Sequence, residues 1–328
     1  MVFYFSGTGN SLQAAQAMLS PGEKLYDMAE CLWKKEFTFH VAPGEAVGFV
    51  FPVYFGGLPA AVEQFVDKLD MPIKPFYSYG LLTCGGSPSG AGEALYTRLK
   101  KRGFPLHAVF SVVMPDNYIL MYKIPEAEEQ ARILNKAALW LDHIKKQVDQ
   151  RSHNDVHASL KARMMTAAMR PMYERARTTK HFYADDQCVG CGLCAKRCTA
   201  HVIVMEDGRP TWTEDKCNLC MACARCGAIQ YGKKTAGKKR YTNPILKKAG
   251  GSHDQDSHAV AGGHEHGAAD TASAAGHVHG GDADECCCPA PDQGGGHDHG
   301  TAAAQSAVHD HGGDEECCCP DPTMTGEE

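Results

Sequence analysis

Eight cysteines in two tight groups are the residues of this sequence best suited to chemistry. The first group, spaced C-x2-C-x2-C-x3-C, is Cys188, Cys191, Cys194 and Cys198, and the second is Cys217, Cys220, Cys223 and Cys226. Cysteines that are two residues apart let one short loop hold three corners of a cubane, so the eight thiols predict two [4Fe-4S] clusters. Zinc is the weaker alternative because zinc sites usually present cysteines in pairs, and disulfides are weaker still.

A second candidate site lies at the start of the chain. Residues 1–5 are apolar and predict a short strand, which runs into the loop Ser6, Gly7, Thr8, Gly9, Asn10 and Ser11 before a helical pattern begins. Glycines let backbone N–H groups approach an anion at a helix N-terminus, and hydroxyls add donors. The loop is neither G-x-G-x-x-G nor a Walker A motif. It predicts a phosphate cradle, with an ordinary strand-to-helix turn as the alternative.

The F-S-G-T-G-N-S segment resembles the FMN phosphate loop of flavodoxins. A second loop of that kind is expected after the apolar residues 47–51, at Pro52, Val53, Tyr54, Phe55 and Gly56. A third, facing the isoalloxazine ring, is expected at Thr83, Cys84, Gly85 and Gly86. The resemblance therefore implies FMN bound by three loops.

A flavodoxin domain followed by a two-cluster ferredoxin domain resembles the flavodoxin–ferredoxin fusion proteins ("ferrodoxins") of anaerobic bacteria and archaea. The segments M-P-D-N-Y at 114–118 and A-I-Q-Y-G-K-K-T at 228–235 are also similar to that family. The resemblance covers about residues 1–248 and does not extend to the residues beyond them. It is specific for cofactors and uninformative about a substrate.

The family pattern also implies which cysteines share a cluster. In two-cluster ferredoxins the fourth cysteine of each run ligates the cluster of the other run, which here joins Cys198 to the second triplet and Cys226 to the first. Cys226 departs from the pattern because it follows Cys223 after two residues rather than three. Either the loop bends so that Cys226 ligates, or one cluster has a weaker fourth ligand.

Residues 1–125 alternate between strand and helix patterns. Strands are predicted near 2–5, 24–27, 47–51, 79–83 and 108–113, and helices near 10–19, 59–69 and 91–102. This alternation predicts an α/β fold with a flavodoxin-like, doubly wound parallel sheet. Ligands of such sheets bind at the carboxyl ends of the strands, where all three predicted loops lie.

The remaining elements complete four predicted segments. Residues 1–150 form the flavodoxin-like domain, 151–180 a helical linker, 181–248 a small α+β ferredoxin-like domain and 249–328 a disordered tail. The linker helix carries Met164, Met165, Met169 and Met172, which are predicted to pack in a core, and Pro171, which is predicted to kink or break it. A two-stranded sheet is predicted between the two cysteine runs.

The tail contains an internal repeat of possible metal ligands. Paired histidines occur at 264/266, 277/279, 297/299 and 309/311, and cysteine triplets occur at 286–288 and 317–319. Imidazole and thiolate suit zinc, nickel or copper(I), so the repeat predicts metal binding. A solvated low-complexity extension is the alternative.

Charge is strongly segregated along the chain. The formal net charge is −6, yet residues 251–328 hold sixteen acidic and no basic side chains, which leaves 33 basic and 23 acidic residues in 1–250. A basic body favours an acidic redox partner. Nucleic-acid binding is not expected, because the basic cluster lacks a helix-turn-helix or an aromatic stacking pattern. No apolar run of eighteen residues and no signal peptide occur, and clustered cysteines favour a reducing cytoplasm.

These features together predict electron transfer between FMN and two clusters in one chain, linking a two-electron donor or acceptor to one-electron carriers. Two alternatives remain open: a flavin and iron–sulfur reductase of a small substrate, and a metal-handling protein acting through the tail. The sequence predicts no catalytic side chain, so carrier and oxidoreductase are not separated, and it leaves the oligomeric state open.

Overall fold

The structure is a computed structural model that describes residues 1–72, 76–213 and 216–248. Its first half comprises β1 (Val2–Tyr4), α1 (Asn10–Met18), β2 (Leu25–Asp27), α2 (Met28–Lys34), β3 (Ala46–Pro52), α3 (Ala60–Lys68), β4 (Tyr77–Cys84), α4 (Ala91–Lys101) and β5 (Ala108–Val113). Its second half comprises α5 (Ala127–Asp149), α6 (Leu160–Ala176), β6 (Phe182–Ala184), α7 (Leu193–Lys196), β7 (Ile203–Glu206), β8 (Arg209–Trp212), a 3-10 turn (Cys223–Cys226), β9 (Ile229–Tyr231) and α8 (Ile245–Lys248). The predicted disorder and metal binding of 249–328 lie outside the described residues.

The first five strands form one parallel sheet in the order β2-β1-β3-β4-β5. This is the flavodoxin-like strand order, whose switch point lies between β1 and β3. Every residue of β4 is buried, as expected for a central strand covered on both faces. The predicted α/β doubly wound fold is confirmed.

Two apolar cores lie on opposite faces of the sheet. On one face α2, α3 and α4 cover a cluster of aromatic rings, in which Phe3 and Phe65 have centroids 5.1 Å apart. On the other face α1 and α5 pack around Tyr79, with Leu141 and Ile144 contributed by α5. Burying each such side chain contributes roughly 1.5–3 kcal/mol to the free energy of unfolding. Together the two clusters give the sheet a core of its own.

The sequence pattern did not predict α2. This helix has only seven residues, and its start is fixed by Asp27, whose carboxylate accepts a hydrogen bond from the Ala29 amide at 2.8 Å. Lys35 ends it in the left-handed conformation with a φ of 59°. A helix this short has no extended apolar periodicity, and its one clear signal is the N-cap residue.

The methionine-rich helix α6 differs from its prediction. Met164 and Met172 are 64% and 56% exposed, so the prediction that the stripe packs in a core is wrong. Tyr173 is the buried residue of this helix, and its hydroxyl accepts the Ala60 amide at 3.0 Å. The helix continues through Pro171 to Ala176, so the proline does not end it.

The cysteine-rich segment contains two small antiparallel sheets, β6–β9 and β7–β8. The second is the two-stranded sheet predicted between the two runs. Its turn, Asp207-Gly208, has positive φ at both residues, as a type I′ hairpin requires. A third apolar cluster joins the segment to Tyr173 and Ile119. The predicted domain boundaries and the ferredoxin-like character of this segment stay predictions.

Candidate functional site

A cavity of about 460 Å³ lies where β1, β3, β4 and β5 end at their carboxyl sides. We call it the strand-edge cavity. It is lined by fourteen of the fifteen residues that the sequence predicts to bind the flavin: Ser6, Gly7, Thr8, Asn10, Ser11, Pro52, Val53, Tyr54, Phe55, Gly56, Thr83, Cys84, Gly85 and Gly86. Its volume falls within the range of roughly 300–1,000 Å³ typical of ligand pockets. Three loops that are far apart in sequence therefore converge on one space.

The loop of residues 6–11 lines the cavity and leads into the N-terminus of α1. Gly9 is the predicted residue that does not line the cavity; it adopts a φ of 101°, and its amide donates to Ser6 Oγ at 3.1 Å. The first turn of α1 leaves backbone N–H groups without intrahelical acceptors. Thr8 and Ser11 are almost fully buried beside them. The loop thus gathers amide and hydroxyl donors at a helix N-terminus, where an anion is stabilised.

The Asn10 side chain serves the protein itself. Its Nδ2 atom donates to Pro115 O at 3.0 Å, and its Oδ1 atom accepts from Tyr241 Oη at 2.7 Å and Asn243 Nδ2 at 3.1 Å. The Asn243 amide also donates to Thr8 O at 2.8 Å. Asn10 therefore fixes the loop to the segment before α8.

The second loop is a tight turn that aims an aromatic ring into the cavity. Tyr54 and Gly57 exchange two backbone hydrogen bonds of 3.0 and 2.9 Å, with Phe55 and Gly56 at positive φ between them. Positive φ is rare for a bulky residue and marks a strained position. Helix α6 stabilises the turn, because Thr166 Oγ1 donates to Gly56 O at 2.6 Å.

The third loop contacts the first. Ser11 Oγ and Thr83 Oγ1 lie 2.7 Å apart and share a buried hydrogen bond. Cys84 is buried and donates to Gly86 O at 3.1 Å. A side chain at Gly85 would lie 2.9 Å from the Asp116 carboxylate, so that carboxylate would have to shift to admit one.

Residues 114–118, the M-P-D-N-Y segment whose resemblance to the fusion family was noted, also line the cavity. The lining residues that the sequence did not single out for the site are Ser87, Met121, Tyr122, Met169, Met172 and Leu219. Residues 114–118 follow β5, so the rule that ligands bind at the carboxyl ends of strands could have placed them. Met169, Met172 and Leu219 carry no such signal, because they reach the cavity from distant parts of the chain.

Four cysteines line a neighbouring cavity of about 20 Å³: Cys198, Cys217, Cys220 and Cys223. We call them the inner set. Backbone amides donate to two of their sulfurs, from Val202 to Cys198 Sγ at 3.4 Å and from Leu219 to Cys217 Sγ at 3.3 Å. The first run thus contributes its fourth cysteine to the triplet of the second run.

The other four cysteines are Cys188, Cys191, Cys194 and Cys226, which we call the outer set. Burial, with a contribution from the nearby Cys226 and Cys188, raises the pKa of the Cys194 thiol to about 11. Cys191 is exposed, whereas Cys194 is buried. Cys226 therefore lies near the first triplet despite the shortened spacing.

The inner set borders the strand-edge cavity. Leu219 lines both cavities and is 3% exposed. A side chain at Gly7 would lie 2.0 Å from Cys220 O, so the loop of residues 6–11 passes directly against the second cysteine run. Burial raises the pKa of the Tyr54 hydroxyl, and Cys220 adds to this effect. The two candidate sites are therefore neighbours.

Three thiols of the inner set, those of the second cysteine run, are in an environment that opposes their ionisation. Burial raises the pKa of Cys217 to about 12 and raises those of Cys220 and Cys223 as well. The eight thiols form no disulfide within the described ranges. Over the same residues, no group of three or more His, Cys, Asp or Glu side chains is arranged to hold a single metal ion.

No helix of the described part is long and apolar enough to cross a bilayer.

Comparison with protein-family models and with curated proteins finds no match. Among solved structures, a proposed flavoprotein from Bacteroides uniformis is 17% identical, with a TM-score of 0.28 over 34% of this chain and 88% of that chain. The Trp repressor binding protein of Bacillus subtilis is 9% identical, with a TM-score of 0.28 over 44% and 96%. An FMN-dependent NADH-azoreductase from Bacillus anthracis, in complex with FMN, is 8% identical, with a TM-score of 0.27 over 45% and 99%.

Proposed function

We propose that the protein transfers electrons between FMN held in the strand-edge cavity and two [4Fe-4S] clusters held by the inner and outer cysteine sets. One observation carries the proposal: Leu219 lines both the strand-edge cavity and the cavity of the inner set. Leu219 therefore borders both predicted cofactor sites, which are neighbours, as direct electron exchange requires.

The residues of the strand-edge cavity fit FMN. The phosphate needs clustered donors, which the hydroxyls of Thr8 and Ser11 and the amides at the start of α1 supply. The ring needs an apolar and aromatic surface, which Tyr54, Phe55 and Tyr118 supply. The position at the β1/β3 switch point is the one that binds FMN in this strand order.

The inner set fits a cubane by its donors. Four thiols line a common cavity, and amide and hydroxyl groups point at their sulfurs; Thr199 Oγ1 lies 3.2 Å from Cys220 Sγ. In a cubane each cysteine binds a different iron, so the four sulfurs lie farther apart than around a single zinc ion. Around zinc each sulfur lies about 2.3 Å from the metal. A thiol whose pKa burial raises to about 12, such as that of Cys217, ionises readily only when a metal replaces the proton.

The role of each residue in the proposed electron transfer follows from its position relative to the two cofactor sites. Bound FMN supplies two-electron and one-electron chemistry, and bound [4Fe-4S] clusters supply one-electron chemistry. Leu219 and Tyr54 exclude water between the two sites. The exposed Cys191 places the outer set near the surface, where a redox partner can dock. An acidic partner is favoured by the basic charge of residues 1–250.

A flavin and iron–sulfur reductase of a small substrate is the second candidate. Met121, Tyr122 and Met172 line the strand-edge cavity and are 60%, 51% and 56% exposed. An apolar rim open to solvent would admit a small molecule beside the ring. Turnover of such a substrate by the purified protein without a partner would favour this candidate. The metal-handling alternative depends on the tail, which lies outside the described residues.

The composition of the purified protein tests the main proposal. Anaerobic purification should give one FMN and about eight irons and eight sulfides per chain, with an optical spectrum showing both cofactor types. Bound zinc in place of iron, or the absence of flavin, would overturn the proposal.

The variant Thr8→Val with Ser11→Ala tests the phosphate site. Each hydroxyl removed from a charged acceptor costs about 1.5–3 kcal/mol, so the FMN dissociation constant should rise at least about 100-fold. Ser20→Ala removes a hydroxyl beyond the other end of α1, where it accepts only from Lys145, and should leave the affinity unchanged. Isothermal titration of the apoprotein with FMN measures both. Equal affinity in the double variant and the wild type would refute the phosphate assignment.

A further inference from the structure

Arg240 is a half-buried arginine beside the turn that follows Cys226. Its two terminal nitrogens donate to five oxygens: Thr235 O and Lys238 O at 3.0 Å, Gln230 Oε1 at 2.9 Å, and Gly227 O and Ile229 O at 3.4 Å. These bonds fix the guanidinium plane against the loop that holds the last cysteine.

The third guanidinium nitrogen has no acceptor. Among the side chains of residues 1–72, 76–213 and 216–246, Nε of Arg240 is the one buried nitrogen or oxygen atom without a hydrogen-bond partner. An unsatisfied buried donor is costly, and more so on a charged group. An acceptor that the polypeptide does not supply is therefore expected at this position.

The anionic groups around Arg240 narrow the identity of that acceptor. Burial lowers the pKa of the guanidinium, whereas Cys226, Asp185 and Cys223 lie close enough to raise it. The Asp185 carboxylate is occupied, since its oxygens accept from the Gln187 amide at 3.1 Å and from Gln230 Nε2 at 2.8 Å. What remains beside Arg240 is the sulfur of the cysteines.

We infer that Arg240 Nε donates a hydrogen bond to a sulfur of the cluster held by the outer set, and that this raises the reduction potential of that cluster. The inference rests on the proposed function. A positive charge and a hydrogen bond stabilise the reduced cluster, which carries one more electron, relative to the oxidised one. Arg240 thus tunes the potential of the outer cluster, so that an electron shared between the two clusters resides preferentially on the outer one.

Apart from Arg240 Nε, no buried side-chain nitrogen or oxygen of residues 1–72, 76–213 and 216–246 lacks a hydrogen-bond partner, so the inner set has no second donor of this kind. Arg177 lies close enough to Cys217 to offset part of the rise that burial causes in its pKa, but it also lies 3.2 Å from the Glu174 carboxylate. Its Nε donates to Cys217 O at 2.9 Å. The charge of Arg177 is therefore largely cancelled, and the two clusters should differ in potential, with the outer one higher.

Redox titration monitored by electron paramagnetic resonance tests the inference on the full-length holoprotein. Arg240→Gln should lower the midpoint potential of the outer cluster by about 59 mV or more. For one electron this corresponds to a tenfold or larger change in the equilibrium constant for reduction. Arg240→Lys keeps the charge without Nε and should give a smaller shift. Lys239→Gln removes a neighbouring exposed charge, which is paired with Glu126, and should shift neither midpoint.

The possible outcomes separate the inference from the proposed function. Wild-type protein without iron–sulfur signals overturns the proposed function. Clusters present in both Arg240 variants with unchanged midpoints overturn the inference alone. If the variants fail to assemble clusters, the wild type labelled with ¹⁵N in the arginine guanidinium decides: pulsed paramagnetic resonance of the reduced protein should show a coupled nitrogen, and its absence also overturns the inference.

Discussion

The central sheet and the cysteine segment are stabilised by different means. The sheet buries five strands between two helical layers, with rings such as Phe3, Phe49 and Phe65 fully covered. The cysteine segment has strands of three or four residues, and Cys194, Cys198 and Cys217 take positions in its core. A region of this size buries too little apolar surface to fold by itself. Its stability should therefore come from metal ligation and from contact with the sheet.

This difference has a consequence for function. The sheet supplies an edge on which three loops meet, whereas the cysteine segment, under the proposed function, is completed by its two clusters. The contact between them runs through Leu219, Gly7 and Tyr54, so ordering of the cysteine segment also closes one wall of the strand-edge cavity. Loss of the inner cluster should thus disturb flavin binding, and loss of the outer cluster should not.

The largest effect is expected from removing one cysteine of each set. Cys198→Ala and Cys226→Ala should each lower the iron content from about eight to about four per chain. Cys198→Ala should also increase amide hydrogen exchange around residues 217–223 and abolish electron transfer from flavin to iron. Cys226→Ala should increase exchange around residues 188–194 and leave flavin-to-cluster transfer intact.

Strands β3 and β4 serve as the internal control for this pair, because their protection should not change in either variant. Segment-resolved exchange and stopped-flow spectroscopy measure the two effects. If Cys198→Ala loosens the first triplet instead of the second, the crossed arrangement of the two sets is wrong. If the sheet loses protection as well, the two regions fold as one unit.

A smaller effect is expected from the clamp between α6 and the second loop. Thr166 Oγ1 donates to Gly56 O at 2.6 Å and accepts the Gly90 amide at 3.0 Å. Thr166→Val keeps the shape but removes both bonds, so FMN affinity should fall roughly tenfold, equivalent to about 1.4 kcal/mol. Thr97→Val, on the exposed face of α4, is the matched control. Unchanged affinity in Thr166→Val would show that the turn is held by its own backbone bonds.

A further effect, on stability rather than on cofactor binding, concerns the sheet alone. Burial raises the pKa of Asp27 from 3.8 to about 6. Because the folded pKa is the higher one, the protonated form contributes stability that is fully present below pH 3.8 and lost as the pH rises through about 6. The loss should be at most about 3 kcal/mol.

Asp27→Asn keeps the N-cap of α2 and removes the charge, so its stability should lack this slope and exceed that of the wild type at pH 7. Urea unfolding of the sheet at pH 4.5 and 7.5 measures the difference. The iron content should be the same in both proteins, which confines the effect to the sheet. A slope that persists in the variant would assign the pH dependence to another group.

The parts of the site that could be predicted from sequence share one feature. Ser6, Tyr54 and Thr83 each follow an apolar strand, and parallel strands bring their carboxyl ends to one edge. Asn10 stays a predicted flavin residue that lines the cavity, but the sequence did not indicate that its Oδ1 atom accepts hydrogen bonds from Tyr241 and Asn243, 231 and 233 residues away. Local pattern carries no information about such partners, because they meet only after the chain has folded.

The sequence by itself determined that the sheet is parallel and doubly wound, and it located the eight thiols and the three loops. Each of these depends on residue type and short spacing. Tertiary structure decided which four cysteines line one cavity, that α6 exposes Met164 and Met172, and that Leu219 borders two cavities. It also decided that Arg240 retains a buried donor without an acceptor. These outcomes depend on packing between elements far apart in the chain, which no periodicity within one element encodes.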